Sequence, residues 1–196
     1  SKPAIDKAAN VILIETNRLH RLVMDLLTLA RLEAGTANIQ HSEVHIQALL
    51  VNMLDKFSIQ AEKQSIQMQM DHVPDVVIMG DGDRLAQVFS NLIDNALKFT
   101  PENGQVHISA EMVAKNIMIK IADTGLGIPE VDREKIFDRF YQSETSRKYG
   151  KKKGFGLGLS IAREIIQSHY GNIWVEDNAG QGSVFVVKLP IHRNKS

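Results

Sequence analysis

The chain has 196 residues, 43% of them apolar, and its 23 basic residues balance 23 acidic ones. That suits one globular domain with an accessory element, and it supplies no overall charge for holding nucleic acid or an acidic membrane surface. There is no cysteine, which excludes disulfides and thiolate metal sites and fits a reducing, cytoplasmic setting.

No signal peptide is readable, and no apolar run nears the roughly 18 residues needed to cross a bilayer. The expectation is a soluble piece, and a membrane-anchored parent protein is compatible with it. From residue 4 to about 34, Ile5, Ala9, Ile12, Thr16, Leu19, Val23, Leu26 and Ala30 alternate steps of four and three, a heptad seam. Leu13, Leu22, Leu27 and Leu29 widen the stripe beyond what a two-stranded coil buries, as in a four-helix bundle. Such a helix must pack on a partner chain, on a further helix or on the remainder of the protein. Gly35 predicts its C-terminal cap.

After a short linker the pattern predicts a helix over 46–63 and strands over 65–70 and 75–80. Asp81 then opens a helix carrying "NLIDNALKFT". On it Asn91, Asn95 and Lys98 fall within roughly 60° of one another, opposite Leu85, Phe89, Leu92, Ile93 and Ala96. Asparagine is a poor choice for a merely solvated helix face, because it competes for its own backbone. Two strands over 104–113 and 116–123 form an expected hairpin. They are followed by an irregular stretch with a short helix near 130–137, a helix over 157–169 and two closing strands, "GNIWVED" and "GSVFVVKLP". The class is α+β, with helices on one face of a mixed or largely antiparallel sheet.

Three glycine-bearing segments follow the asparagine helix: "DTGLGI" (123–128), "GFGLGL" (154–159) and "GQGSVF" (180–185). Glycine lets backbone N–H groups turn inward around an anion, although each segment taken singly reads as an ordinary turn. The spacing fits neither the dinucleotide fingerprint nor the P-loop. Taken in order with "IFDRFYQ" and the basic loop "SETSRKYGKKKG", however, they resemble the N, F and three G boxes of sensor histidine kinases over residues 81–190. "VILIETNRLHRLVMDLLTLARLEAG" is similar to the second helix of that family's dimerisation and phosphotransfer hairpin.

The resemblance implies the Bergerat α/β sandwich of the GHKL ATP-binding superfamily. It also implies two domains: an incomplete hairpin with linker over 1–40 and a catalytic ATP-binding domain over 41–196. Asn95 matches the magnesium ligand, Asn91 its neighbour toward the phosphates, and Lys98 a phosphate contact, with Arg139 a further one. Asn91, Lys98 and Arg139 would then serve the transfer itself. Asp123 would accept a hydrogen bond from the adenine amine, beside Phe99 where many relatives have tyrosine. Gly125, Gly127 and Ile128 would line the nucleotide, as would Lys153, Gly154, Phe155, Gly156, Leu157, Gly158 and Leu159, with Ser183 supporting the base. Arg147, Lys148, Lys151, Lys152 and Lys153 lie in a lid that orders over a triphosphate in the family. Gln142 stands where relatives often have arginine, and Phe137 and Phe140 are expected to tether the lid by packing.

Hydrolysing members of the superfamily carry a glutamate general base one turn before the magnesium asparagine, where this chain has Asn91. That favours a kinase, using ATP and Mg²⁺, over an ATPase; a catalytically silent nucleotide-binding module is the other reading. The family's phosphoacceptor histidine, followed by an acidic residue, has no match. His20 lies on the first helix before Arg21, and His41, His45, His72, His107, His169 and His192 read as surface or strand residues. The resemblance implies a phosphoacceptor hairpin supplied by another polypeptide, a receiver domain as partner and a homodimeric parent.

Overall fold

The computed structural model describes residues 2–36, 38–144 and 154–191, with side chains from residue 9 onward. The chain forms two compact units, Ser1–Ala37 and Asn38–Ser196. The first is a single helix, α1 (Lys2–Glu33). It ends as expected: Gly35 has φ +62°, its N–H donates to Leu32, and the Thr36 N–H donates to Arg31. This is the crossed pair of bonds of a Schellman cap. Ile12, Leu19, Val23 and Leu26 along its seam are exposed.

The second unit contains β1 (Ser42–His45), α2 (Ile46–Lys63), β2 (Gln67–Met70), β3 (Val77–Gly80) and α3 (Gly82–Phe99). It continues through β4 (Gln105–Val113), β5 (Asn116–Asp123), α4 (Gly158–Ser168), β6 (Asn172–Asp177) and β7 (Ser183–Pro190). Five strands form one sheet in the order β2-β4-β5-β7-β6, parallel only between β2 and β4, and β1 pairs antiparallel with β3 in a separate ribbon. Along β5 burial alternates strictly: Ile117, Ile119 and Ile121 enter the core, and Asp123 takes the last inward position. The period of two that buries isoleucines thus delivers a carboxylate to the rim of the core.

Above the sheet, α3 packs against both α2 and α4. Its Leu85, Val88, Phe89, Leu92, Ile93, Ala96 and Leu97 are buried, while Asn91, Asn95 and Lys98 are half-exposed along the opposite flank. Asp81 caps the helix, its side chain accepting the Arg84 N–H at 3.0 Å.

Several expectations shift. The ribbon strand β1 falls before residue 46, where no element was expected, because "SEVH" buries only Val44 and shows no alternation. The strand expected from 65 starts at Gln67, since Ser65, at φ +55°, closes α2 with its N–H on Glu62. The helix expected over 130–137 is two 3-10 turns, Glu130–Asp132 and Lys135–Phe137, with only Ile136 and Phe137 buried. His169 is neither a surface nor a strand residue. It follows α4 and is 4% exposed, with its ring Nε2 accepting the Asp81 N–H at 2.9 Å and Nδ1 2.7 Å from the Ile165 carbonyl oxygen. Those partners fix the neutral tautomer with the proton on Nδ1. The ring fills the space beside Gly80, where a Cβ would lie 2.7 Å from its Cδ2.

Candidate functional site

The site is assembled at the C-terminal half of α3, where the end of β5, the start of α4 and the β6–β7 turn meet. At one end is Asp123, 4% exposed. Its Oδ1 accepts the Gly125 N–H at 2.8 Å and, more weakly, the Ser183 N–H at 3.4 Å; its Oδ2 accepts the Ser183 hydroxyl at 2.6 Å. Burial pushes the carboxyl pKa above the usual aspartate range, and the hydrogen bonds from Ser183 and Gly125 pull it back. Held this way, the carboxylate is an oriented acceptor with lone pairs to spare.

Two glycines make the arrangement possible. A Cβ at Gly125 would lie 2.6 Å from the Phe99 carbonyl oxygen, so the loop after β5 passes directly against the last turn of α3. Gly182 has φ +102°, and its Cβ would fall 1.9 Å from the Asp123 carbonyl oxygen, inside the backbone of the neighbouring strand. Gly127 and Ile128 follow in the same loop, Gly127 opposite the Gly182 carbonyl and Ile128 half-buried.

The other end is the polar flank of α3. Asn91 Nδ2 donates to the Gly158 carbonyl at 3.0 Å, joining α3 to the first residue of α4. The Asn95 side chain, one turn on, makes no hydrogen bond among the described residues, which leaves its amide oxygen available as a neutral ligand. The Lys98 ammonium lies 4.7 Å from the Phe99 ring centroid, and a Cβ at Gly154 would be 3.6 Å from Lys98 Nζ. Burial lowers the Lys98 pKa, and Asp94 partly raises it again. An incompletely hydrated ammonium of this kind is suited to pairing with an anion.

Two of the glycine segments therefore meet α3, and the third meets Asp123 and the loop that follows it. Asn91 meets Gly158, Lys98 meets Gly154, Phe99 meets Gly125, and Asp123 meets Gly125 and Ser183. Phe155, Gly156 and Leu159 are half-buried between them, and Leu157 is buried. Lys153 lies outside the described residues, as do Arg147, Lys148, Lys151 and Lys152. Arg139 is exposed. Gln142 donates from Nε2 to the Gly154 carbonyl at 2.6 Å.

Phe137 packs as expected, edge-on to Phe185 at 6.4 Å. Phe140 does not: its side chain is exposed, and it joins the segment through its backbone, at φ +60° with its N–H on the Gly156 carbonyl. The sequence reading also missed Asn178, whose Nδ2 donates to the Asp123 carbonyl at 2.9 Å, and Arg133, whose Nε reaches the Ile128 carbonyl. The turn composition of "DNAG" was the available signal for Asn178; nothing local marks Arg133.

Comparison with known proteins gives this geometry a family. The sequence profile of the histidine kinase-, DNA gyrase B- and HSP90-like ATPases matches residues 80–193. The adaptive-response sensory kinase SasA of Gloeothece citriformis is 35% identical over 177 residues, covering 89% of this chain and 44% of SasA. The sensor protein SrrB of Staphylococcus aureus is 37% identical over 186 residues, covering 95% of this chain and 32% of SrrB. The chain thus spans less than half the length of either relative. Among solved structures, histidine kinase ThkA in complex with response regulator protein TrrA superposes with a TM-score of 0.74 at 28% identity, covering 95% of this chain and 51% of that one. The chain belongs to the histidine kinase-, gyrase B- and HSP90-like ATPase family, and within it to the ATP-binding domains of sensor histidine kinases, with the Bergerat fold.

Proposed function

We propose that this chain is the phosphoryl-donating core of a two-component sensor kinase: it binds ATP along α3 and passes the γ-phosphoryl group to a histidine supplied from outside these 196 residues. The observation that carries the reading is Asn91. Its side-chain amide is spent on the Gly158 carbonyl, 3.0 Å away, and an asparagine there cannot take a proton from water. Without a general base the site suits an acceptor that is already nucleophilic. The imidazole lone pair attacks the γ-phosphorus, the bond to the β-phosphate oxygen breaks, and ADP leaves with that electron pair. Catalysis is then positioning and charge neutralisation.

In this reading Asp123 accepts the adenine amine, which favours adenine over guanine with its carbonyl at that position, and Phe99 lies beside the base. Lys98 would pair with the phosphates, Arg139 and Lys153 (the latter outside the described residues) being further candidates for such a contact, and Asn91 would set the start of α4 against them. A Mg²⁺ ion would be held by Asn95 through its amide oxygen. Among the described residues no cluster of three or more His, Cys, Asp or Glu side chains could hold a metal, and a lone neutral oxygen suits an ion bound mainly through phosphates and water. When bound, the ion would neutralise charge on the phosphates. The exposed seam of α1 supports its role as the second helix of a dimerisation and phosphotransfer hairpin, over residues 1–40, in a homodimeric parent. The ThkA–TrrA complex supports a response regulator receiver domain as the onward acceptor.

The test is incubation of the full chain with γ-labelled ATP and a separate histidine-bearing hairpin. Label on the hairpin histidine, with inorganic phosphate release at background, is the expected result. Phosphate release over many turnovers without the hairpin would make the chain an ATPase. Nucleotide binding with neither outcome would make it a silent module.

A further inference from the structure

We infer that Asn178 and Arg133 are positioning residues for base selection, acting through the backbone around Asp123; the inference rests on the adenine reading of Asp123 given above. The carboxylate is set from one side by its own strand and from the other by the β6–β7 turn, residues 178–182. From that turn Asn178 Nδ2 donates to the Asp123 carbonyl at 2.9 Å, while the Asn178 N–H donates to the Gly182 carbonyl at 3.3 Å. One asparagine therefore closes the turn on itself and fastens it to the end of β5. The turn cannot relax toward that strand, because Gly182 already lies against the Asp123 carbonyl. Ser183, the next residue, presents both its N–H and its hydroxyl to the carboxylate.

Arg133 holds the same frame from outside. Its Nη2 pairs with Asp177 Oδ1 at 2.5 Å, and its Nε donates to the Ile128 carbonyl at 3.4 Å. The guanidinium thus ties the loop that follows Asp123 to the last residue of β6. Asp177 pairs in register with Ser183 across the hairpin, so the arginine braces the turn that carries the serine. Reading an amine against a carbonyl needs an acceptor held to within a few tenths of an ångström, because a carboxylate that swings can accommodate either base through water. The two side chains supply that stiffness, and neither is directed at a phosphate-binding residue.

The consequence is specific to the base. Asn178→Ala should weaken ADP by about tenfold, the effect of deleting one part-buried hydrogen bond that positions Asp123, while IDP, which has a carbonyl in place of the amine, changes less than twofold. Asn178→Asp, which sets an acceptor against the Asp123 carbonyl, should narrow the ADP to IDP preference further. Arg133→Lys should narrow it by about two- to threefold, because its ion pair is largely solvated. Calorimetric titration of the full chain with each nucleotide, alongside a thermal melt without nucleotide, reads all three. Equal losses for ADP and IDP that track the melting temperature, or an unchanged preference in folded variants, would overturn the inference. If the unsubstituted chain binds neither nucleotide, the adenine reading itself fails and takes the inference with it, a result distinguishable from variants that bind without a changed preference.

Discussion

The two ends of the site are built on different physics. Around Asp123 nearly every polar atom has a partner: Gly125, Asn178 and Ser183 all bond to it, and Gly182 is pressed against its carbonyl with no room for a side chain. Along the flank of α3, by contrast, the Asn95 side chain makes no hydrogen bond among the described residues, and Lys98 is held by burial and by the Phe99 ring. One end is a fixed acceptor, which in the proposed reading discriminates between bases. The other is a set of half-exposed donors and ligands that can follow a phosphate chain as it changes length. Under the proposed reading, a fixed hydrogen-bond acceptor at the base and adaptable electrostatics at the phosphates would let the domain keep its nucleotide identity while releasing ADP in place of ATP.

The contrast can be broken at the base end with a single methyl group. Gly182→Ala should cost about 3 kcal/mol of stability and abolish ADP binding, because the residue combines φ +102° with backbone contact. Urea unfolding and ADP titration check it, and near-normal stability would show that the turn is looser than this geometry. Next in size, Asp123→Asn should weaken ATP and ADP alike by roughly 10- to 100-fold, since it removes a charged acceptor common to both. Calorimetry giving unchanged ADP affinity would count against the role of Asp123.

At the phosphate end, Asn95→Ala should leave metal-free binding nearly intact and remove most of the gain from Mg²⁺, about a tenfold effect. Titrations with Mg²⁺ and with chelator test it; an undiminished gain would assign the metal elsewhere.

The smallest effect concerns the helix that both ends share. Burial holds the His169 pKa below the ordinary histidine value of 6.5, an effect that His41 adds to and that the Ile165 carbonyl and Asp81 oppose. The unfolded chain therefore binds this proton more readily than the folded one. Stability from the neutral ring is complete above about pH 6.5 and falls as the pH drops below it. His169→Gln should lower stability at pH 8 and flatten that slope; parallel curves for the two proteins would remove His169 from the account.

Much of this was legible in the sequence because it is periodic. The burial of Leu85, Phe89, Leu92, Ile93 and Ala96 against an Asn91, Asn95 and Lys98 flank follows from 3.6 residues per turn, and the inward Asp123 follows from the two-residue period of β5. Motif order brought the glycine segments to the right helix. What escaped was set by pairing between distant segments. β1 exists because β3 offers it an edge, and His169 is buried because a notch at Gly80 receives it. Asn178 matters because of a carbonyl 55 positions away. None of these leaves a local periodicity to read.

The central claim is that a magnesium nucleotide lies between the polar flank of α3 and the glycine bends beyond it. Backbone amide exchange of the full chain, with and without Mg·ADP, tests it most directly. Protection is expected at residues 91–98, 123–128, 154–159 and 182–183, with α1 and the outer half of β4 unchanged. Protection absent from these segments, or concentrated in others, would contradict the claim.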